Sequence, residues 1–107
     1  MTNVYTFCIL YPMKFEWDEK KNELNKEKHG LAFEEAKTIF EGKIFSIVDT
    51  RKEYGEVRAI SIGTLKDIVI VVVVHTQRSH NIRIISARLA KTKERRMYNE
   101  YIEKKTS

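Results

Sequence analysis

The sequence predicts an α+β fold, a twisted antiparallel sheet with two helices before it and one helix after it. Residues 68–74 are seven consecutive β-branched apolar residues, which predict a central strand covered on both faces. A short polar link at 79–81 separates them from a second apolar run at 82–87, so the two runs form an antiparallel hairpin. Helix start and stop signals lie before and after this hairpin, which places the helices outside it.

Two helices are predicted on the N-terminal side of the sheet. Asp18 is a good N-cap for a first helix, and Gly30 is a good residue to end it. This helix is mostly charged, and Trp17 and Leu24 are expected to anchor it to the rest of the domain. A second helix at 33–41 follows from apolar residues at helical spacing. Its core-facing residues are expected to be Phe33, Ala36, Ile39 and Phe40.

Further short strands and a last helix complete the predicted fold. The strands are expected at residues 14–17, 44–48 and 57–63. In the last of these strands Arg58 shares one face with Ile60 and Ile62, because side chains alternate along a strand. Thr92 is expected to cap a helix that continues to about residue 104. The apolar face of that helix is formed by Met97, Tyr98, Tyr101 and Ile102.

The length of 107 residues fits one domain, and 42% apolar residues suffice for one core. We expect residues 1–12 to be an N-terminal extension and 13–107 to be the single domain, with Met13 as an alternative start. A second interpretation makes 4–11 an additional edge strand. The longest apolar run is far below the roughly 18 residues of a membrane span, so no membrane association is expected. With Cys8 as the single cysteine, a reducing cytoplasm is the expected location.

Charge is distributed unevenly along the chain, whose formal net charge is +5. Residues 1–50 hold seven Lys/Arg and nine Asp/Glu, a net −2, whereas residues 51–107 hold thirteen and six, a net +7. The basic half contains all seven arginines of the chain, and the planar guanidinium of arginine suits phosphate. This asymmetry indicates a polyanion or an acidic protein as partner.

The motifs give poor support for a metal site and indicate a few candidate residues. His29, His75 and His80 do not show ligand spacing, so neither a metal nor a cofactor is expected. His75 ends the central strand, where a histidine is either structural or, with an ordinary pKa near ~6.5, suited to proton transfer. Arg58 and Arg83 lie within strands, and each needs a partner or a wet cleft because a buried unpaired charge is costly. A carboxylate such as that of Glu56 could pair with one of the two arginines and make it structural.

Short motifs along residues 13–101 resemble, in content and in order, those of a known family. They are Phe15-Glu16-Trp17-Asp18, Lys28-His29-Gly30, Phe33-Glu34-Glu35-Ala36, Arg58 before Ile62-Gly63, Val74-His75-Thr76 with Arg78, Arg83-Ile84-Ile85-Ser86-Ala87-Arg88, and Glu94-Arg95-Arg96 followed by Tyr98. The chain thus resembles the BrnT toxins of bacterial BrnT/BrnA type II toxin–antitoxin pairs, which are related to the RelE-like ribonucleases. The resemblance implies a RelE-like fold, RNA cleavage with inhibition of translation, and a cognate antitoxin that binds DNA.

Metal-independent cleavage of RNA by its own 2′-OH fits the candidate residues. Such a reaction needs a proton acceptor, stabilisation of the growing negative charge and a proton donor. The expected catalytic residues are Arg58, His75 and Arg83, and an in-phase hairpin register would place His75 and Arg83 on one face. The expected RNA-binding residues are Arg78, Arg88, Arg95 and Tyr98. Tyr98 has a core role as its alternative.

The expected partners follow from the same resemblance. They are an RNA substrate and a BrnA-like antitoxin that forms a hetero-oligomer with the chain, and DNA is contacted only through that antitoxin. The alternative function is a non-catalytic basic module that binds RNA or a protein.

Overall fold

The computed structural model describes residues 14–51 and 53–106 as a five-stranded sheet with helices on both faces. In chain order the elements are β1 (Lys14–Glu16), α1 (Glu19–His29), α2 (Phe33–Ala36) with a 3-10 helix (Lys37–Glu41), β2 (Phe45–Val48), β3 (Arg58–Leu65), β4 (Val69–Arg78), β5 (Asn81–Leu89) and α3 (Thr92–Thr106). The predicted α+β class and all three helices are confirmed. The expected extension at 1–12, and its alternative as an edge strand, lie outside the described residues.

The strand order in the sheet is β1-β5-β4-β3-β2. Three of the four pairings are antiparallel, whereas β1 runs parallel to β5. The predicted antiparallel sheet is thus confirmed for β2 to β5, and the short first strand adds a parallel edge to it. All of the chain between β1 and β5 forms the connection between them, and parallel neighbours require a long crossover of this kind.

A tight turn joins β3 to β4. Lys66 and Asp67 both have positive φ, 52° and 58°, as a type I′ turn between β3 and β4 requires. The strand β4 begins only after this turn, and Ile68 is 80% exposed beside it. The prediction that 68–74 is covered on both faces holds for Val71–Val73 but is wrong for Ile68 and Val69, which are exposed.

Two core clusters lie on opposite faces of the sheet. On the face covered by α1 and α2, here called the α1–α2 face, Val71 and Val73 pack with apolar side chains of the N-terminal helices. On the face covered by α3, here called the α3 face, Val72 packs with Ile62 and Tyr98. The residues predicted to face the core from the second helix, Phe33, Ala36, Ile39 and Phe40, are all buried.

The close approach of the 3-10 helix to β3 depends on Gly63. A Cβ atom at this position would lie 2.8 Å from the Ile39 Cβ, closer than carbon atoms pack. A glycine therefore lets Ile39 lie directly against the strand backbone.

Helix α1 is anchored by polar side chains rather than by Leu24, which is 62% exposed. Asn25 is buried, and its Nδ2 donates to the Leu31 and Ala87 carbonyls at 2.8 Å each, while its Oδ1 accepts from the Ala87 N–H. Asn22, also buried, accepts from the Phe33 N–H at 2.8 Å. The expectation for Leu24 is wrong because the helix face toward the sheet carries asparagines that satisfy backbone groups there.

We expect Asn25→Ala to lower the free energy of unfolding by about 3 kcal/mol, because it leaves buried backbone groups of Leu31 and Ala87 without partners. Leu24→Ala, one position away on the same helix, is the matched control and should change it by less than about 0.5 kcal/mol. Urea unfolding followed by circular dichroism measures both. Equal losses in the two variants would contradict the anchoring role of Asn25.

Candidate active site

Cross-strand register places four side chains in one row on the α3 face. Glu16 pairs with Arg83, Arg83 with Thr76, and Thr76 with Arg58, so the row crosses β1, β5, β4 and β3. Neighbouring side chains in such a row lie roughly 5 Å apart at their Cβ atoms. We call these four residues the arginine row. Arg58 and Arg83 lie on either side of Thr76, so their Cβ atoms are roughly 10 Å apart.

Glu16 holds the Arg83 guanidinium at one end of the row. Its Oε2 accepts from the Arg83 Nη1 at 2.8 Å, and its Oε1 accepts from the Asn81 Nδ2 at 3.1 Å. These hydrogen bonds, first that from Asn81 and then that from Arg83, lower the pKa of Glu16, so this carboxylate is ionised at neutral pH. About a third of each side chain in the pair is exposed, so Arg83 stays accessible to a ligand.

Arg58 is held at the other end of the row by the loop that precedes β3. Its Nε donates to the Glu56 Oε2 at 3.1 Å, and its guanidinium lies 4.1 Å from the centroid of the Tyr54 ring. The Tyr54 hydroxyl donates to the Asp49 Oδ2 at 3.0 Å. A hydrogen bond from Arg51 above all keeps the pKa of Asp49 low, at about 2. Arg58 is thus oriented by contacts that continue into the loop.

The roles of Asp49 and Tyr54 in orienting Arg58 were missed by the sequence analysis. Both residues lie in the polar connection between β2 and β3, which carries no motif. Only the folded loop brings them close to the sheet. An isolated aromatic residue within a polar connection is the one signal that could have identified Tyr54.

His75 lies on the opposite face from the arginine row, and it is 1% exposed. Its Nε2 is 2.7 Å from the Ser61 Oγ, which is 2.6 Å from the Ser46 Oγ, and the Phe40 ring meets the imidazole edge-on at 5.0 Å. Burial lowers the pKa of His75 to about 4, so the ring is neutral at physiological pH. The serine–histidine chain joins β2, β3 and β4 within the interior.

The prediction that His75 and Arg83 share a face is therefore wrong. The turn at residues 79–80 pairs Arg78 with Asn81, so His75 lies opposite Ile84 and Arg83 lies opposite Thr76. Because successive residues of a strand point to opposite faces, two odd-numbered residues in this register point away from each other.

A model of the family described as "Ribonuclease toxin, BrnT, of type II toxin-antitoxin system" matches residues 17–94, most of the chain. The chain belongs to the BrnT ribonuclease toxin family. A similar solved structure is the crystal structure, at 1.1 Å resolution, of the Brucella abortus ribonuclease toxin BrnT. It has a TM-score of 0.57 and 28% sequence identity, and the alignment covers 75% of this chain and 99% of that one. No curated protein matches the sequence.

These comparisons confirm the resemblance found in the sequence motifs, the α+β fold and the assignment to RNA-cleaving toxins. A type II toxin implies a cognate antitoxin as partner of this BrnT-family chain. None of the helices in the described part of the chain has the length and apolar character that crossing a bilayer requires. Within residues 14–51 and 53–106, no three His, Cys, Asp or Glu side chains group in a way that could hold a metal ion.

Of the residues predicted to bind RNA, the structure brings only Arg78 near the arginine row. Arg78 is exposed at the end of β4, and its charge contributes to the lowered pKa of Glu16. Arg88 pairs in register with Val72, four positions and roughly 13 Å along β4 from Thr76. Its guanidinium forms two hydrogen bonds with Glu94, at 2.8 and 2.7 Å, and so ties β5 to the start of α3.

Arg95 and Tyr98 lie in α3 and are likewise away from the row. The Arg95 Nη1 donates to the Ala90 carbonyl at 2.9 Å, which ties this side chain to the segment before α3. Tyr98 is 6% exposed, and its hydroxyl donates to the Lys43 carbonyl at 2.8 Å. A ring this buried has no face available for stacking on a base, so the core alternative describes its position.

The depressed pKa of His75 predicts a pH dependence of stability in this BrnT-family chain. Below its ordinary pKa near 6.5 the unfolded state binds a proton that the folded state excludes down to about 4, so stability falls as the pH falls through this window. Between pH 7 and pH 5, we expect the free energy of unfolding to fall by about 2 kcal/mol more in the parent chain than in His75→Gln. Urea unfolding at several pH values measures both slopes. Parallel slopes for parent and variant would show that His75 is not buried in neutral form.

Proposed function

We propose that the chain is a metal-independent endoribonuclease that cuts RNA by attack of the substrate's own 2′-OH on the adjacent phosphate, and that it inhibits translation in this way in the cytoplasm. The arginine row is the observation that carries the proposal. Two partly exposed guanidinium groups, of Arg58 and Arg83, flank Thr76 on one sheet face. Arginine is the side chain best suited to bidentate contact with phosphate.

Stabilisation of the pentavalent phosphate is the task of Arg58 and Arg83. Arg58 uses its Nε for Glu56 and Arg83 uses its Nη1 for Glu16, so each guanidinium keeps further N–H groups for phosphate oxygens. The carboxylates and the Tyr54 ring hold both groups before substrate binds. Such preorganised donors contribute most when charge develops in the transition state.

Proton transfer at the 2′-OH needs a group on the same face as the phosphate. Glu16 meets this condition, because it lies in register beside Arg83 and is ionised at neutral pH. We assign the proton-accepting role to Glu16. His75, buried behind the sheet, supports the site by fixing β4 against β3 through Ser61.

We expect Arg58→Ala and Arg83→Ala to remain folded and to lower RNA cleavage by at least about 10²-fold, the effect of losing one transition-state donor. Arg96→Ala is the matched control, because it removes an equal charge from an exposed position on α3. Cleavage in EDTA and circular dichroism are measured on the same samples. Glu16→Gln should lower the rate of RNA cleavage by a similar factor. His75→Gln should cleave RNA at a rate within about 10-fold of the parent rate.

Three outcomes would change the proposal. If His75→Gln is folded and its RNA cleavage rate falls by about 10²-fold, the range of general acid–base catalysis, then His75 would be the residue that transfers the proton. Arginine variants that are folded and cleave like the parent would place the site elsewhere. A parent that cuts no RNA in EDTA, alone or with ribosomes, would favour a non-catalytic binding module.

We further propose that the cognate antitoxin is a BrnA-like DNA-binding protein, that DNA is reached only through it, and that it covers the arginine row in a hetero-oligomer. The net +7 of residues 51–107 favours an acidic covering segment. The antitoxin should therefore compete with an RNA that is made non-cleavable by blocking its 2′-OH groups. Saturating antitoxin should lower the apparent affinity for this RNA by at least about 10-fold. Fluorescence anisotropy of labelled RNA measures this. Independent binding of both would exclude occlusion of the row.

A further inference from the structure

Beside the arginine row, the α3 face of the sheet carries a second row of paired side chains. Ile47 pairs with Ile60, and Ile60 pairs with Val74, so this row crosses β2, β3 and β4. Residues paired directly across strands project from the same face of the sheet. We call these three residues the apolar strip.

The three side chains of the apolar strip are half-buried, although β4 is the middle strand of the sheet. Ile60 packs in part against the cluster under α3. Among the described residues, Ile47 and Val74 belong to neither core cluster. Branched aliphatic side chains that stay partly exposed at the centre of a sheet favour association with a partner, because the partner removes their apolar area from water.

Helix α3 covers the next row on this face and leaves the strip open. That row begins at Arg88 on β5, which hydrogen-bonds the first turn of α3, and it ends at Phe45 on β2. The Phe45 ring centroid lies 5.0 Å from that of Tyr101 in α3. Between these ends, Val72 and Ile62 pack beneath the helix. Helix α3 therefore runs across the strands, along a line parallel to the strip.

The spacing of the three rows fits one more helix alongside α3. Along β4 the rows are two residues apart, so the strip and the arginine row lie roughly 7 Å and 13 Å from the row under α3. The axes of packed helices are about 8–10 Å apart. An added helix parallel to α3 would therefore lie above the space between the strip and the arginine row, where it can contact both.

We propose that the cognate antitoxin binds this surface with an amphipathic helix that lies parallel to α3. Apolar residues at helical spacing cover the strip. Carboxylates on the neighbouring flank of the same helix meet the partly exposed guanidinium groups of Arg58 and Arg83. The inference rests on the proposed covering of the arginine row by the antitoxin, because the row supplies the charged contacts.

The chemistry of the strip favours a protein segment over RNA as its ligand. Unpaired bases stack on aromatic rings or on guanidinium planes. The strip offers only branched aliphatic side chains, which pack well against the apolar side chains of a helix. The aromatic rings of the flanking rows already have partners, Tyr54 against Arg58 and Phe45 against Tyr101.

The test uses the full-length chain, with ¹³C-labelled isoleucine and valine methyl groups, and the cognate antitoxin as probe. In methyl NMR spectra the antitoxin should shift the signals of Ile47, Ile60 and Val74. Intermolecular NOEs from these methyl groups should reach antitoxin residues that are spaced as on one face of a helix. Ile68 is the control, because it is 80% exposed beside the β3–β4 turn and would report non-specific apolar contact.

Threonine substitutions test the strip while keeping its side chains β-branched. Ile60→Thr combined with Val74→Thr should lower the affinity for the antitoxin by at least about 10-fold, because hydroxyl groups would be covered without partners. Val74→Thr alone, which changes little in shape, serves as the second variant if the double variant unfolds. Fluorescence anisotropy of labelled antitoxin measures the affinities, and circular dichroism checks the fold.

Two controls accompany these variants. Val69→Thr makes the same exchange at a residue that is 39% exposed at the start of β4, on the opposite face. Its affinity for the antitoxin should stay within about 3-fold of the parent value. The rate of RNA cleavage by the double variant should also stay within about 3-fold of the parent rate, because the strip supplies neither a charge nor a proton to the reaction.

The results separate this inference from the proposed function. Unshifted strip methyl groups, or folded strip variants that keep the parent's affinity for the antitoxin, would overturn the helix site while RNA cleavage stands. NOEs to alternate antitoxin residues would indicate a strand and overturn the helix. If the strip variants lose affinity for RNA and keep it for the antitoxin, the strip would be part of the RNA site. Strip-dependent antitoxin binding by a chain that cuts no RNA would support the helix site and refute the reaction.

Discussion

The register between β4 and β5 determines which side chains the rest of the chain can bring together. A two-residue turn pairs Arg78 with Asn81, and every later pairing follows from it as far as the irregularity after His75. Arg83 therefore lies beside Thr76 on the α3 face, while His75 points into the core. A shift of one residue in the β4–β5 register would exchange the two faces of the strand and bury a guanidinium in place of an imidazole. The free energy of burying that unpaired charge would exceed the stability of a small domain.

Carboxylate partners allow arginines to lie within strands of so small a protein. Glu56, Glu16 and Glu94 hold Arg58, Arg83 and Arg88, and each pair is a quarter to a third exposed. Pairs of this exposure contribute roughly 1 kcal/mol or less to stability. Their main effect is orientation, because a guanidinium fixed before binding loses less entropy when it meets a phosphate. Arg88 shows that the same arrangement also serves structure, since its partner lies in α3.

The sequence was informative where local physics decides the structure. Asp18 and Gly30 delimit α1 as expected, with the Asp18 carboxylate accepting from the Lys20 and Lys21 N–H groups and Gly30 at a positive φ of 68°. The hairpin of β4 and β5 followed from two apolar runs and a short polar link. The faces of His75 and Arg83 were not predictable, since they depend on whether the turn has two residues or three.

Side-chain roles that depend on tertiary contacts were equally beyond the sequence. Leu24 had the only apolar side chain within α1, yet buried asparagines attach the helix. The same limit applied to the candidate site, where Arg58 and Arg83 were chosen by residue type and position. Their partners Tyr54 and Glu16 became visible only once the loop and the edge strand were placed. The family motifs identified the domain, but they did not show which motif residues contact one another in the fold.

The buried Ser46–Ser61–His75 chain has a consequence for how relatives of this protein can diverge. Each member hydrogen-bonds its neighbour, so replacing one of them by an apolar residue removes a buried hydrogen bond from the next. Replacing all three by apolar groups of similar volume would remove that penalty. The effects of the three replacements on stability should therefore be strongly non-additive, with each single replacement less stable than the parent chain or the triple replacement.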